Sequence, residues 1–289
     1  MFFSPNCFAT PSANARRCAV FALTVIVSSG AGAQVQTFAG GVNAAAIQTQ
    51  VDAFRASFGP LNTNVAGSFG SGRREINWDG VPDASSAPNN LAANFFNVTS
   101  PRGVVFSTPG TGFAVSANAG LSAPVRFGNI DPSYVNTFDT FSAQRLFTAI
   151  GSNIVDVNFF VAGSSNSALS RGFGAVFSDV DLASTTSLQF FDGANASLGT
   201  FFTPVGAFSF LGVSFGSSVV SRVRITSGNT ALAAGATDQN GVSRDVVVMD
   251  DFIYAETVPD TVAPEPSTYA LMAAGLLAIT FMRRRIRRH

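Results

Sequence analysis

The chain has 289 residues, is 46% hydrophobic and only 12% charged, and its 17 basic residues balance 17 acidic ones to a formal net charge of zero. Every basic residue is Arg, the single His is His289, and the only Cys are Cys7 and Cys18. The middle of the chain therefore has no Ser–His or Cys–His nucleophile, no thiolate or imidazole zinc site and no Walker Lys, and a carboxylate pair is the main catalytic chemistry left.

The N-terminus has a secretory plan. Arg16 and Arg17 precede an apolar run, Cys18 to Val27, and a small-residue stretch, Ser28 to Ala33. This predicts a signal peptide over residues 1–33, cut after Ala33 by signal peptidase. The Arg pair lacks the wider twin-Arg context, which favours the general secretory route; the competing reading is a buried N-terminal helix. Cleavage removes both Cys, so the mature protein has no disulfide and relies on its core.

Residues 34–258 form the predicted exported domain. It holds ten Arg and fifteen acids, a net charge of −5 that argues against nucleic acid as a partner. Asn43 to Gly59 reads as an amphipathic helix: Ile47, Val51, Phe54 and Phe58 share one face, Asn43 caps the start and Gly59-Pro60 stops it. Short apolar or alternating runs follow, broken by Gly, Ser, Asn, Asp and Pro. They lie at 103–107, 113–116, 154–162, 173–178, 187–191, 200–204, 209–215, 221–226 and 246–254. The pattern predicts a mainly β domain, a β-sandwich of jelly-roll-like kind with one N-terminal helix. A composition shift at 164–170 reads as a long loop or a sub-domain boundary.

Two features invite a binding function. Trp78, the only Trp, sits in a dense polar cluster running from Arg73 to Gly80. It reads as a glycan contact or calcium loop, or more economically as a core Trp beside a turn at Asp79-Gly80. The 29 Phe read mostly as core, since sugar platforms favour rings with a polar handle. Asp79 with Asp83, and Asp250 with Asp251, are oxygen donors suited to structural calcium. Asp250 and Asp251, adjacent on a strand, should point to opposite faces. Val248 to Ile253 looks like the acidic-pair ending of jelly-roll lectin-like domains.

The C-terminal part is a second signal. A Pro-rich linker, 259–268, leads to an apolar helix, Tyr269 to Met282, and to a 283–289 tail with Arg283, Arg284, Arg285, Arg287 and Arg288. Fourteen helical residues span about 21 Å, short of the roughly 30 Å hydrocarbon core. Flanking Ser267 and Thr268 and snorkelling Arg stems extend the reach. The Arg block belongs on the cytoplasmic side, which agrees with an exported domain before it. Pro264, Glu265 and Pro266, then this helix and the Arg block, resemble the PEP-CTERM sorting domain. The resemblance implies recognition by an exosortase, a Gram-negative envelope, membrane attachment followed by release to the surface, and association with exopolysaccharide or biofilm. The functions compatible with these readings are a non-catalytic envelope or matrix protein, a carbohydrate-binding module, or a glycosidase using two carboxylates, with Glu75 and Glu256 the only Glu of the domain.

Overall fold

The computed structural model describes residues 25–27, 34–237 and 243–260. In chain order they form β1 (Val25–Val27), β2 (Gln34–Gly41), α1 (Ala44–Phe58), β3 (Arg73–Ile76), α2 (Phe95–Val98), β4 (Val104–Ser107), β5 (Gly112–Val115) and α3 (Tyr134–Thr137). The strands β6 (Phe147–Ile150), β7 (Ile154–Phe159), β8 (Ala168–Leu169), β9 (Gly172–Val180) and β10 (Ser187–Phe191) follow. The remainder is β11 (Ser197–Phe202), β12 (Gly206–Phe215), β13 (Arg222–Thr226), β14 (Val248–Ala255) and β15 (Val258–Pro259).

Two antiparallel sheets face each other. The larger runs β1-β2-β12-β9-β14-β6-β5, with β3 also paired to β14; the smaller runs β11-β10-β13-β7-β4. Alternation along each strand builds the layers. On β9, Phe173, Ala175 and Phe177 enter the core between the sheets, where they meet Val223 and Ile225 of β13 and Val155 and Val157 of β7. Val176 points the other way, into a second cluster under α1. The described residues are thus mainly β, two antiparallel sheets sharing one core, with α1 on the outer side of the larger sheet. The main core takes residues from both sides of 164–170, and that stretch contributes β8, paired to β15.

The helix follows its sequence pattern. Asn43 accepts a hydrogen bond from the Ala46 N–H at 3.0 Å, and Gly59 ends the helix at φ 90°. Ile47, Val51, Phe54 and Phe58 are buried against Ala39, Phe208 and Phe210. Gly174 and Gly212 are directly paired on β9 and β12. A Cβ on either would lie 2.7 Å from the Phe54 ring, so the bare backbone is what lets the helix dock closely.

Val25–Val27, inside the predicted signal peptide, is extended rather than helical, and pairs with Gln34–Gln36 at the sheet edge. The rest of the predicted signal peptide, the sorting motif, the apolar helix and the Arg tail lie outside the described residues. Among the described residues, no helix is long and apolar enough to cross a membrane.

Candidate functional site

The structure brings together three of the four predicted calcium ligands, by a route that simple alternation does not give. On β14, Met249 pairs with Phe177 and Phe252 with Ala175, so Asp250 and Asp251 together stand opposite one residue of β9. This is a β-bulge, and it interrupts the alternation that would send the two side chains to opposite faces. Both carboxyl groups meet Ser142 Oγ, at 3.0 Å for Asp250 and 2.8 Å for Asp251. Asp79 lies beside them, and its Oδ1 accepts from the Arg145 backbone N–H at 3.1 Å.

The charges in this cluster are unequally compensated. Asp251 receives Arg55 Nη2 at 2.7 Å, and Arg55 continues to Glu75, which Arg73 meets from the other side at 2.6 Å. Asp250 is fully buried and accepts from the Phe141 N–H at 2.7 Å, without a cation of its own among the described residues. Burial first, and then the charge of Asp251, hold the Asp250 carboxyl well above the usual carboxylate range. Burial also raises Asp251 and Asp79. Burial thus disfavours the charged form of both neighbouring carboxyl groups.

The oxygen chemistry suits a hard cation, but each carboxyl group already has donors: Phe141 and Ser142 on Asp250, Ser142 and Arg55 on Asp251, and Arg145 on Asp79. Asp83 stands apart, its Oδ1 2.5 Å from Arg145 Nη2. Among the described residues no three His, Cys, Asp or Glu side chains are disposed to hold a metal ion together. Asp79, Asp250 and Asp251 form a hydrogen-bonded cluster that ties β14 to α1 and to the 141–145 segment.

Trp78 is likewise internal. It is 1% exposed, its ring stacks on Phe147 at 4.0 Å and 2°, and its Nε1–H donates to the Asp250 carbonyl at 2.7 Å. Its φ of 64° belongs to the turn into Asp79-Gly80. The ring has no open face for a sugar, so of the two readings of Trp78 the core ring beside a turn is the one the structure has, and the glycan contact is not. Both Glu are engaged as well. Glu256 is buried, receives Arg74 Nε at 2.8 Å and accepts from Asn62 Nδ2 at 2.6 Å.

Sequence reasoning missed Ser142, Arg55 and Arg145. Their only signal was a surplus of acids needing donors, because their partners lie far away in sequence. Residues 262–288 match the model of the PEP-CTERM protein-sorting motif. No curated protein and no solved structure matches the chain. The match covers Pro264, Glu265, Pro266 and the flanking Arg residues up to Arg288, and marks a chain sorted to the cell envelope by an exosortase.

Proposed function

We propose that the protein is an exported, non-catalytic component of the cell envelope or extracellular matrix, associated with exopolysaccharide or biofilm. The sorting motif at 262–288 carries this reading. The predicted signal peptide directs export, the apolar helix holds the chain in the membrane with its Arg block in the cytoplasm, and exosortase then releases the domain. Asp250 and Asp251 are buried beneath their own partners, and Glu75 and Glu256 are tied to Arg residues, so a two-carboxylate glycosidase lacks a free acid and base in these positions.

The test is the intact mass of the protein recovered from its native host, beside the Pro264→Ala/Pro266→Ala variant. A wild-type chain ending near Pro266, with the variant uncut, supports sorting and release. Extra mass at that end would point to covalent attachment to glycan. A chain running to His289 in both would make the tail a plain anchor and remove the basis for a matrix role.

A further inference from the structure

The connection between α1 and β3 is unassigned. It runs from Pro60 to Gly72, thirteen residues without a helix or strand of their own. A connection this long is usually functional or disordered. This one is pinned from within. Arg74, fully buried, turns its guanidinium to the carbonyls of Thr63, Val65 and Gly67. Asn62 Nδ2 donates to Glu256 at 2.6 Å and to the Ser71 carbonyl at 2.7 Å. The Gly67 N–H donates to the Ala162 carbonyl at 2.8 Å.

With those carbonyls held inward, the loop presents side chains to the outside. Thr63 to Ala66 and Ser68 to Ser71 are all exposed. Leu61, Val65 and Phe69 are 55%, 50% and 49% exposed, three of the eight large apolar side chains exposed among the described residues. From Pro60 to Gly72 there is no charged residue, and the apolar side chains are interspersed with Asn, Thr, Ser and Gly.

The loop also stands where the chain leaves the domain. Ser68 Oγ donates to the Thr257 carbonyl at 2.6 Å. Three residues later the Asp260 N–H donates to the Ser167 carbonyl at 3.0 Å, and the matched sorting motif begins at residue 262. From Asp260 to Tyr269, where the apolar stretch starts, the chain can reach about 30 Å at most. A tether of that length keeps the domain close to the membrane but leaves it free to turn.

We propose that the 60–72 loop docks the anchored domain on the lipid bilayer, with Leu61, Val65 and Phe69 entering the boundary between headgroups and acyl chains. Two observations select that occupant. The loop lies beside the exit point, so the tether brings this end of the domain nearest the membrane. Its composition also fits: an uncharged loop has nothing to attract a charged partner, while the interface takes apolar side chains beside amides and hydroxyls. Because the loop is pinned before it binds, docking is opposed by little ordering. Docking stops the domain from swinging and keeps Pro264, Glu265 and Pro266 at the surface until release. The inference rests on the anchoring part of the reading above.

The test uses the chain with its tail retained, recovered from a host lacking exosortase. It is placed in phosphatidylethanolamine–phosphatidylglycerol vesicles whose brominated acyl chains quench Trp on contact. Trp78 is internal, so wild-type emission should be unaffected. Phe69→Trp should add blue-shifted emission that the brominated lipid largely removes. β4 begins beside Thr257, and Thr111 is exposed past its far end, so Thr111→Trp should add red, unquenched emission. Adding Leu61→Ser and Val65→Ser to Phe69→Trp should return its emission toward that of Thr111→Trp. The melting temperature should not change, since both positions are exposed. Flotation with the vesicles reads the anchor separately. A chain that floats while Phe69→Trp is quenched no more than Thr111→Trp overturns the docking and leaves the anchor standing. A blue shift seen only when exosortase is added to the vesicles also overturns it, making a protein the partner. A chain that does not float removes the anchor, and the docking with it.

Discussion

Asp250 and Asp251 meet on one hydroxyl, Ser142 Oγ, at 3.0 and 2.8 Å, although they are adjacent on a strand. The bulge that gathers them also makes stability depend on pH. The Asp250 carboxyl is raised in the folded chain above its ordinary value of 3.8, by burial and by Asp251. Between those two values the folded chain holds a proton that the unfolded chain has released. This contribution is fully present below the unfolded value and is lost as pH rises through the folded one. Asp79 and Asp251, also raised, act in the same direction. Asp250→Asn keeps an acceptor for Phe141 and a donor for Asp251. It should raise the urea midpoint at pH 7 and flatten its decline between pH 4 and 7. A slope equal to that of wild type would show that Asp250 ionises normally.

The same bulge marks where the sequence stopped being informative. The nine predicted strands are all present because each is a short apolar or alternating run bounded by turn residues, the alternation clearest in Arg222-Val223-Arg224-Ile225. The helix was legible for the same reason, and because Asn43 and Gly59 punctuate it. β2 was not, since Gln34, Gln36 and Thr37 blur its alternation and two Gly end it. β3 hid behind Arg73, Arg74 and Glu75, whose charges are satisfied only by residues such as Glu256, 182 positions away from Arg74. Alternation predicted opposite faces for Asp250 and Asp251; one extra residue in the pairing overrode it.

The close seat of α1 depends on paired glycines. Gly212→Ala would place a methyl group 2.7 Å from the Phe54 ring, a buried side chain with Phe58 and Phe210 packed around it. The ring has little room to retreat, so the substitution should cost about 1–3 kcal/mol by overpacking. Chemical denaturation measures it. Gly212→Ala combined with Phe54→Leu should recover part of the loss, because the smaller side chain gives the methyl room. A double variant no more stable than expected from additive effects would mean that the strain lies in the strand, not under the helix.

Arg74 anchors a loop through backbone carbonyls as well as a charge. Its Nη1 donates to Thr63, Val65 and Pro101 at 3.3, 3.3 and 2.9 Å, its Nη2 to Gly67 at 3.1 Å, and its Nε reaches Glu256. Arg74→Met removes all of these and leaves Glu256 buried beside Asn62 alone. Breaking a buried pair from one side should cost about 3–5 kcal/mol. It should also make the 60–72 loop, where Leu61, Val65 and Phe69 are already exposed, the first site of limited proteolysis. Cleavage elsewhere first would show that the loop is held by other contacts.

Trp78 provides a built-in reporter, because it is the chain's only Trp. Its ring is enclosed by Phe96, Phe106, Phe147 and Phe252, and its N–H is bonded to the Asp250 carbonyl. Native emission should therefore be blue-shifted and poorly quenched by iodide, and should move red in a single step on unfolding. Trp78→Ala empties the centre of this aromatic cluster and should cost about 3–5 kcal/mol. Trp78→Phe retains most of the stacking on Phe147 but loses the indole donor, so it should cost less.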